Sequence, residues 1–162
     1  MKKVIGIILI IAMVTVGMLG CVSKSSSIDV SSTSASKFIV NISGDIIPST
    51  LRIGGQSTIT MNIQNTSNVN LNGITLRTYA DIKDFTIVST STNCSYNSST
   101  TRFTIPNAIA PNETLTIKII VSPNVAGNKD IRFRLLESND STEININEST
   151  QAAMQFTFAI TN

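Results

Sequence analysis

The side chains able to do chemistry here are few: two cysteines, Cys21 and Cys94, and ten carboxylates, with no histidine and no tryptophan. The missing histidine removes the commonest general base, the commonest metal ligand and the side chain that changes charge near neutral pH. Cys94, in STNCSYNSS, would need a nearby cation or a helix N-terminus to become a thiolate nucleophile, and Arg102 is the lone candidate close in sequence. It reads as a small, half-buried loop residue. A blue-copper site needs two histidines beside its cysteine and is excluded.

Acidic residues concentrate in ESNDSTEININE, residues 137 to 148, where Glu137, Asp140, Glu143 and Glu148 could offer oxygens to calcium. The spacing is not that of an EF-hand loop and no glycine turn lies inside it, so a solvated hairpin loop is the plainer reading. Asp81 and Asp84 in DIKD are neighbours, as carboxylates in turns often are. A glycosidase needs a cleft, usually lined by aromatics, and this chain has six Phe and two Tyr. No glycine-rich loop suits a phosphate, and no serine has a base to activate it. The expectation is therefore no enzyme and no cofactor, with Glu137, Asp140 and Glu143 as the calcium candidates.

The elements around these residues begin with a leader. MKK, followed by the apolar run VIGIILIIAMVTVGMLG at residues 4–20, has the plan of an export signal. The run is 17 residues long, at the lower edge of what spans a bilayer. Small Gly20 precedes Cys21, and the chain turns polar at Ser23. This ending resembles a lipoprotein signal, the lipobox, in which a peptidase cuts before a cysteine whose sulfur carries lipid. That family has Leu three places before the cysteine, where this chain has Met18, with Leu19 one step later. The resemblance implies lipid attachment at Cys21; an uncleaved N-terminal membrane helix is the alternative. Either way the remainder is expected at the outer face of the cell membrane. Residues 21–36 hold the serine-rich stretch VSKSSSIDVSSTSAS, which buries too little to order itself and reads as a flexible tether.

From residue 37 to 162 the apolar residues recur in twos. Phe38, Val40 and Ile42 alternate, as do Ile59, Met61 and Ile63; Ile74 and Leu76; Phe85 and Ile87; Phe103 and Ile105. Leu115 to Val121, Ile131 to Leu135 and Met154 to Ile160 continue the pattern. Breakers stand between them: GDIIPS, GGQ, NTSNVNLNG, IPNAIAPNE and SPNVAGNKD. Eight short strands with one apolar face each predict an immunoglobulin-like antiparallel β-sandwich of seven to eight strands. A closed eight-stranded barrel is the alternative that periodicity leaves open.

GGQSTITMNIQNTSN and IPNAIAPNETLTIKIIVSPNVAGNKDIRFRL resemble the CARDB-like and S-layer-associated Ig-like domains of prokaryotic cell-surface proteins. Pro111, Asn112, Glu113 and Thr114 stand at that family's Pro-turn, and Ala126 and Gly127 at its Gly-turn. The resemblance implies an extracellular structural or adhesive module without catalysis.

Two surface features follow from position alone. If the third, seventh and eighth strands are neighbours, Arg77, Tyr79, Arg132, Arg134, Gln155 and Thr157 share one outward face, fit for an acidic glycan or an envelope protein. Seven N-x-S/T sites, at Asn41, Asn65, Asn93, Asn97, Asn112, Asn139 and Asn147, are candidates for glycosylation. Lys2 and Lys3 supply the whole basic excess, so from Cys21 onward ten basic residues balance ten acidic ones. That balance argues against nucleic acid as a partner. The expected role is a membrane-anchored structural or interaction module. A calcium- or ligand-binding surface lipoprotein is the alternative.

Overall fold

Alternation is the rule the chain obeys. In strand β3 (Ser57–Asn65) every second residue is buried and the intervening Thr58, Thr60, Asn62 and Gln64 are half-buried. The structure is a computed structural model that describes residues 38–138, 142–146 and 153–162. Cys21, the leader, the tether, Asn139, Asp140, Asn147 and Glu148 lie outside the described residues.

Strands β1 (Ile39–Ile47), β3, β8 (Thr114–Pro123), β5 (Phe85–Thr90) and β10 (Asn145–Ile146) form a five-stranded sheet in the order β10-β1-β3-β8-β5. Strands β2 (Thr50–Arg52), β11 (Ala153–Thr161), β9 (Gly127–Glu137), β4 (Leu71–Ala80), β7 (Arg102–Ile109) and β6 (Ser95–Asn97) form a six-stranded sheet in the order β2-β11-β9-β4-β7-β6. Pairing is antiparallel except where β1 meets β10 and β2 meets β11.

The inward residues of the two sheets make one core. Ile59, Met61, Ile63, Ile117, Ile119 and Val121 come from the first sheet; Leu76, Phe103, Ile105, Phe133, Leu135 and Phe158 come from the second. Phe133 stands at the centre of an aromatic chain, with ring centroids 5.8 Å from Phe103 and 5.9 Å from Phe156. Phe85 and Phe158, 5.0 Å apart, join the sheets at another point. This is the immunoglobulin-like sandwich that the alternation predicts.

The chain crosses between sheets soon after it enters. β1 pairs with β3, passes a cis Ile47–Pro48 peptide, and re-enters as β2 beside β11. Ser57 Oγ donates to Pro48 O at 2.7 Å, and the Ala159 amide donates to Ser49 O at 2.9 Å, fixing the crossover. GDIIPS is thus strand through Ile47 and not a breaker. Gly44 fits there because β1 passes close to β11: a Cβ on Gly44 would sit 2.6 Å from Met154 Cε and 2.7 Å from Thr60 O.

The expectation of eight strands also omits β2, β6 and β10, which are two or three residues long and too short to display a period. IPNAIAPNE is strand as far as Ile109, with an irregularity opposite Gly73, which has φ +73. Pro106 lies in that irregularity, where its missing amide breaks no ladder bond.

Asn65 corrects another expectation. It is fully buried, with 0% exposure, so it is not available to carry a glycan. Its Nδ2 donates to Val69 O and Ile109 O, both at 2.8 Å, while Oδ1 accepts from the Ser67 amide and hydroxyl. Its backbone completes the junction: the amide donates to Glu113 O, and the carbonyl accepts from the Asn112 amide. One side chain therefore ties the end of β3 in one sheet to the end of β7 in the other. The adjoining turn uses Pro111 and then Asn112 at φ 64, with the Glu113 amide closing onto Ala110 O, the residue chemistry of a type II turn.

Edges are blunted as well. Among the described residues, three of the four outer strands are two or three residues long, and the fourth, β5, carries a register break between Ile87 and Ser89. Such edges resist pairing with another chain.

Candidate interaction face

The outward face of the six-stranded sheet collects most of the domain's arginines. β4 lies between β7 and β9, so Arg77 is directly opposite both Arg102 and Arg134. Three arginines therefore share one row of the register across three adjacent strands, Arg77 and Arg134 exposed and Arg102 half-buried with its Nε enclosed. In the next row, Tyr79 is opposite Arg132 and Arg132 is opposite Gln155; beyond it Asp130 is opposite Thr157. All point away from the core, because Leu76, Phe103, Ile131 and Phe133 between them are buried. The structure thus places Arg77, Tyr79, Arg132, Arg134, Gln155 and Thr157 on one face.

Like charges directly opposite each other cost up to about 1 kcal/mol per pair, so the row needs compensation. The Tyr79 ring supplies some, with Arg134 Cζ 4.9 Å and Arg77 Cζ 5.8 Å from its centroid. Glu143 supplies more, accepting from Arg134 Nη1 at 2.9 Å. Both side chains of that pair are nearly half exposed, 47% and 44%, which holds its worth to about 1 kcal/mol or less. Asp130 is mostly engaged elsewhere: it accepts from Thr157 Oγ1 at 2.7 Å and Gln155 Nε2 at 2.9 Å, leaving Arg132 at 3.5 Å. Among the described residues no carboxylate lies within ion-pair distance of Arg77.

Two members of this arrangement escape a reading of the sequence. Arg102 joins the row only because β7 flanks β4, an adjacency that alternation does not reveal. Glu143, a calcium candidate by composition, instead reaches across to Arg134. The backbone sets that up, since Glu143 bridges to Leu136 on β9 and the Ile144 amide donates to Leu135 O. Of the other calcium candidates, Glu137 sits at the end of β9. Among the described residues no group of three potential metal ligands comes together.

The remaining sequence candidates are scattered. Cys94 is buried at 6% exposure, deeper than the half-buried loop position its sequence suggests, and desolvation pushes its thiol up to about 11. It therefore stays protonated near neutrality and is a poor nucleophile. Lys129, bonded to Asp84 at 2.7 Å, and the Asp130 amide, which donates to Asp81 at 2.9 Å, account for the DIKD carboxylates: they fasten a 3-10 turn (Asp81–Asp84) to β9. Asn41, Asn97 and Asn112 are exposed, and Asn93 is half-buried with Oδ1 accepting from Ser91 Oγ.

No family model matches the sequence, and no curated protein does. Solved structures do resemble it. A CARDB domain from Pyrococcus furiosus, crystallised in complex with di-metal ions, is 17% identical over 76% of this chain and 87% of that one, with a TM-score of 0.48. Red sea bream transglutaminase is 13% identical over 75% of this chain, at a TM-score of 0.51, and this chain spans 15% of that protein. The N-terminal domain of a Streptococcus gordonii adhesin is 10% identical over 75% of this chain and 32% of that one, with a TM-score of 0.48. At these identities the likeness is one of fold.

Proposed function

We propose that this chain is a non-catalytic interaction module, lipid-anchored through Cys21 at the outer face of the cell membrane, which makes its contacts through the outward face of the six-stranded sheet. Its role is structural or adhesive, within the cell envelope. The observation that carries the reading is Arg77 directly opposite Arg134, with Arg132 and Tyr79 beside them. Opposed arginines lower the stability of a sheet, and a sandwich core this continuous has no need of them. Their placement makes sense if something anionic from outside completes the face.

Support for the anchor comes from the order of the leader: positive start, apolar run, Gly20-Cys21, then serines. Intact-mass measurement of protein extracted from membranes tests it. The expected mass lacks residues 1–20 and carries added lipid on Cys21. A full-length, unmodified mass would contradict lipidation and favour an uncleaved N-terminal helix.

A further inference from the structure

We propose that two copies of this chain pair face to face through the outward side of the five-stranded sheet, about a two-fold axis that runs along β3. The pairing uses the other sheet from the contact face and does not depend on it.

That outward side carries little charge. The positions of β1, β3 and β8 that point away from the core are mostly Ser, Thr, Asn and Gln, with one acid, Asp45, and one base, Lys118. Both are exposed. Asp45 accepts from its neighbouring Ile46 amide at 2.8 Å, and among the described residues neither charge has an ion-pair partner. They stand in one row of the register: Asp45 is opposite Thr60, and Thr60 is opposite Lys118. The two charges are thus two strands apart, about 9.6 Å, with β3 between them. The next outward row repeats the arrangement with apolar groups, since Ile47 is opposite Thr58 and Thr58 is opposite Ile120. Ile47 is 67% exposed, more than any other large hydrophobic residue among those described, and Ile120 is half-buried although it faces outward.

This layout is complementary to itself. A two-fold axis parallel to β3 and passing over Thr60 sets β3 against its own copy and exchanges β1 with β8. Asp45 then meets the second copy's Lys118, and Lys118 meets the second copy's Asp45, so one contact is made twice, as a two-fold interface requires. Ile47 meets Ile120 twice in the same way. An axis across the strands through this row would instead set Asp45 on Asp45 and Lys118 on Lys118, so the charges select the first arrangement. Packed sheets lie about 10 Å apart with their strands within about 30° of alignment, which brings facing rows into reach. The edges of this sheet do not invite pairing, because β10 is two residues long and β5 is broken in register. Strands of nine or ten residues, three abreast, span roughly 15 Å by 30 Å, which is a small interface and implies a reversible dimer.

The test is sedimentation of the full-length protein in density-matched detergent, with the two charges reversed singly and together. The unaltered protein is expected to dimerise with a dissociation constant on the order of 10 µM, weakening as salt rises. Asp45→Lys alone, or Lys118→Asp alone, should weaken the dimer about thirtyfold, because each change turns both ion pairs into repulsions. Both changes in one chain should restore it. Mixing the two single variants should also restore it, as a mixed dimer. The urea midpoints should match that of the unaltered protein, as for other exposed substitutions. Arg132→Glu with Arg134→Glu, on the other sheet, should leave the dimer intact. A monomeric unaltered protein, a dimer indifferent to the single reversals, or reversals that neither the double change nor the mixture rescues would each overturn the proposal. Loss of the dimer in Arg132→Glu with Arg134→Glu would also overturn it, by moving the pairing to the contact face.

Discussion

Replacing Phe133 with alanine is expected to lower the stability of the domain by about 4 kcal/mol. The ring is fully buried and lies between Phe103 and Phe156, 5.8 and 5.9 Å away, with the second contact edge-on at 79°. Truncation removes the transfer energy of a whole aromatic ring and leaves a cavity. Strands β4 and β11, hydrogen-bonded on either side of β9, prevent the walls from collapsing into it. Two aromatic contacts, each worth about 0.5–1.5 kcal/mol, go as well. A domain of this size holds roughly 5–15 kcal/mol in total, so the variant should unfold at a much lower urea concentration. Phe133→Leu, which refills most of the space, should lose less than half as much. A midpoint for Phe133→Ala close to that of the unaltered protein would mean that the two sheets are not packed as described.

Asn65→Ala is expected to cost about 3 kcal/mol, although it removes no apolar surface to speak of. The amide of Asn65 satisfies two carbonyls, Val69 O and Ile109 O, and receives two bonds from Ser67. Removing it leaves the buried Ile109 O without that donor, at about 1–3 kcal/mol, and frees Ser67, whereas Val69 O, on an exposed residue, keeps Ser67 Oγ at 3.1 Å. Asn65→Asp should be at least as harmful, since it turns a donor into an acceptor facing two carbonyl oxygens. Asn41→Ala, in a sequon of the same form but exposed, should move the urea midpoint little. Equal effects at the two positions would rule out the junction between β3 and β7.

These two residues show what the sequence discloses and what it hides. Phe133 is legible: it falls in phase with Ile131 and Leu135, and period-two alternation assigns it to the core. The outward arginines are legible by the same parity, because β4, β9 and β11 are adjacent. Asn65 is not. Its sequon is written like six others, and only the fold brings the carbonyl of Ile109 to it from 44 residues away. Arg102 is hidden for a related reason, since alternation gives a strand its faces but not its neighbour. The strand from Gly44 to Ile47 is masked by a glycine and a proline that read as a turn. The glycine is there for close approach, and the proline stands at the change of sheet.

The placement of charge fits this picture of a surface set aside for contact. Lys129 is committed to Asp84 and fastens the 3-10 turn, with both side chains 18% exposed; that hydrogen bond raises the lysine's pKa. Arg77, Arg134 and Arg132 on the outward face are held more loosely, by an aromatic ring, by a half-exposed glutamate and by a 3.5 Å contact. Groups that stabilise a fold are usually satisfied within it, whereas groups meant for a partner keep donors to spare.

The measurement that bears most directly on this account combines binding and stability in one variant, Arg132→Glu with Arg134→Glu, in the full-length protein. Capture of envelope material is expected to be lost, while the urea midpoint stays within about 1 kcal/mol of the unaltered protein's, as for exposed charges. Undiminished capture would contradict the contact face, and loss of capture accompanied by unfolding would show that these arginines serve the fold.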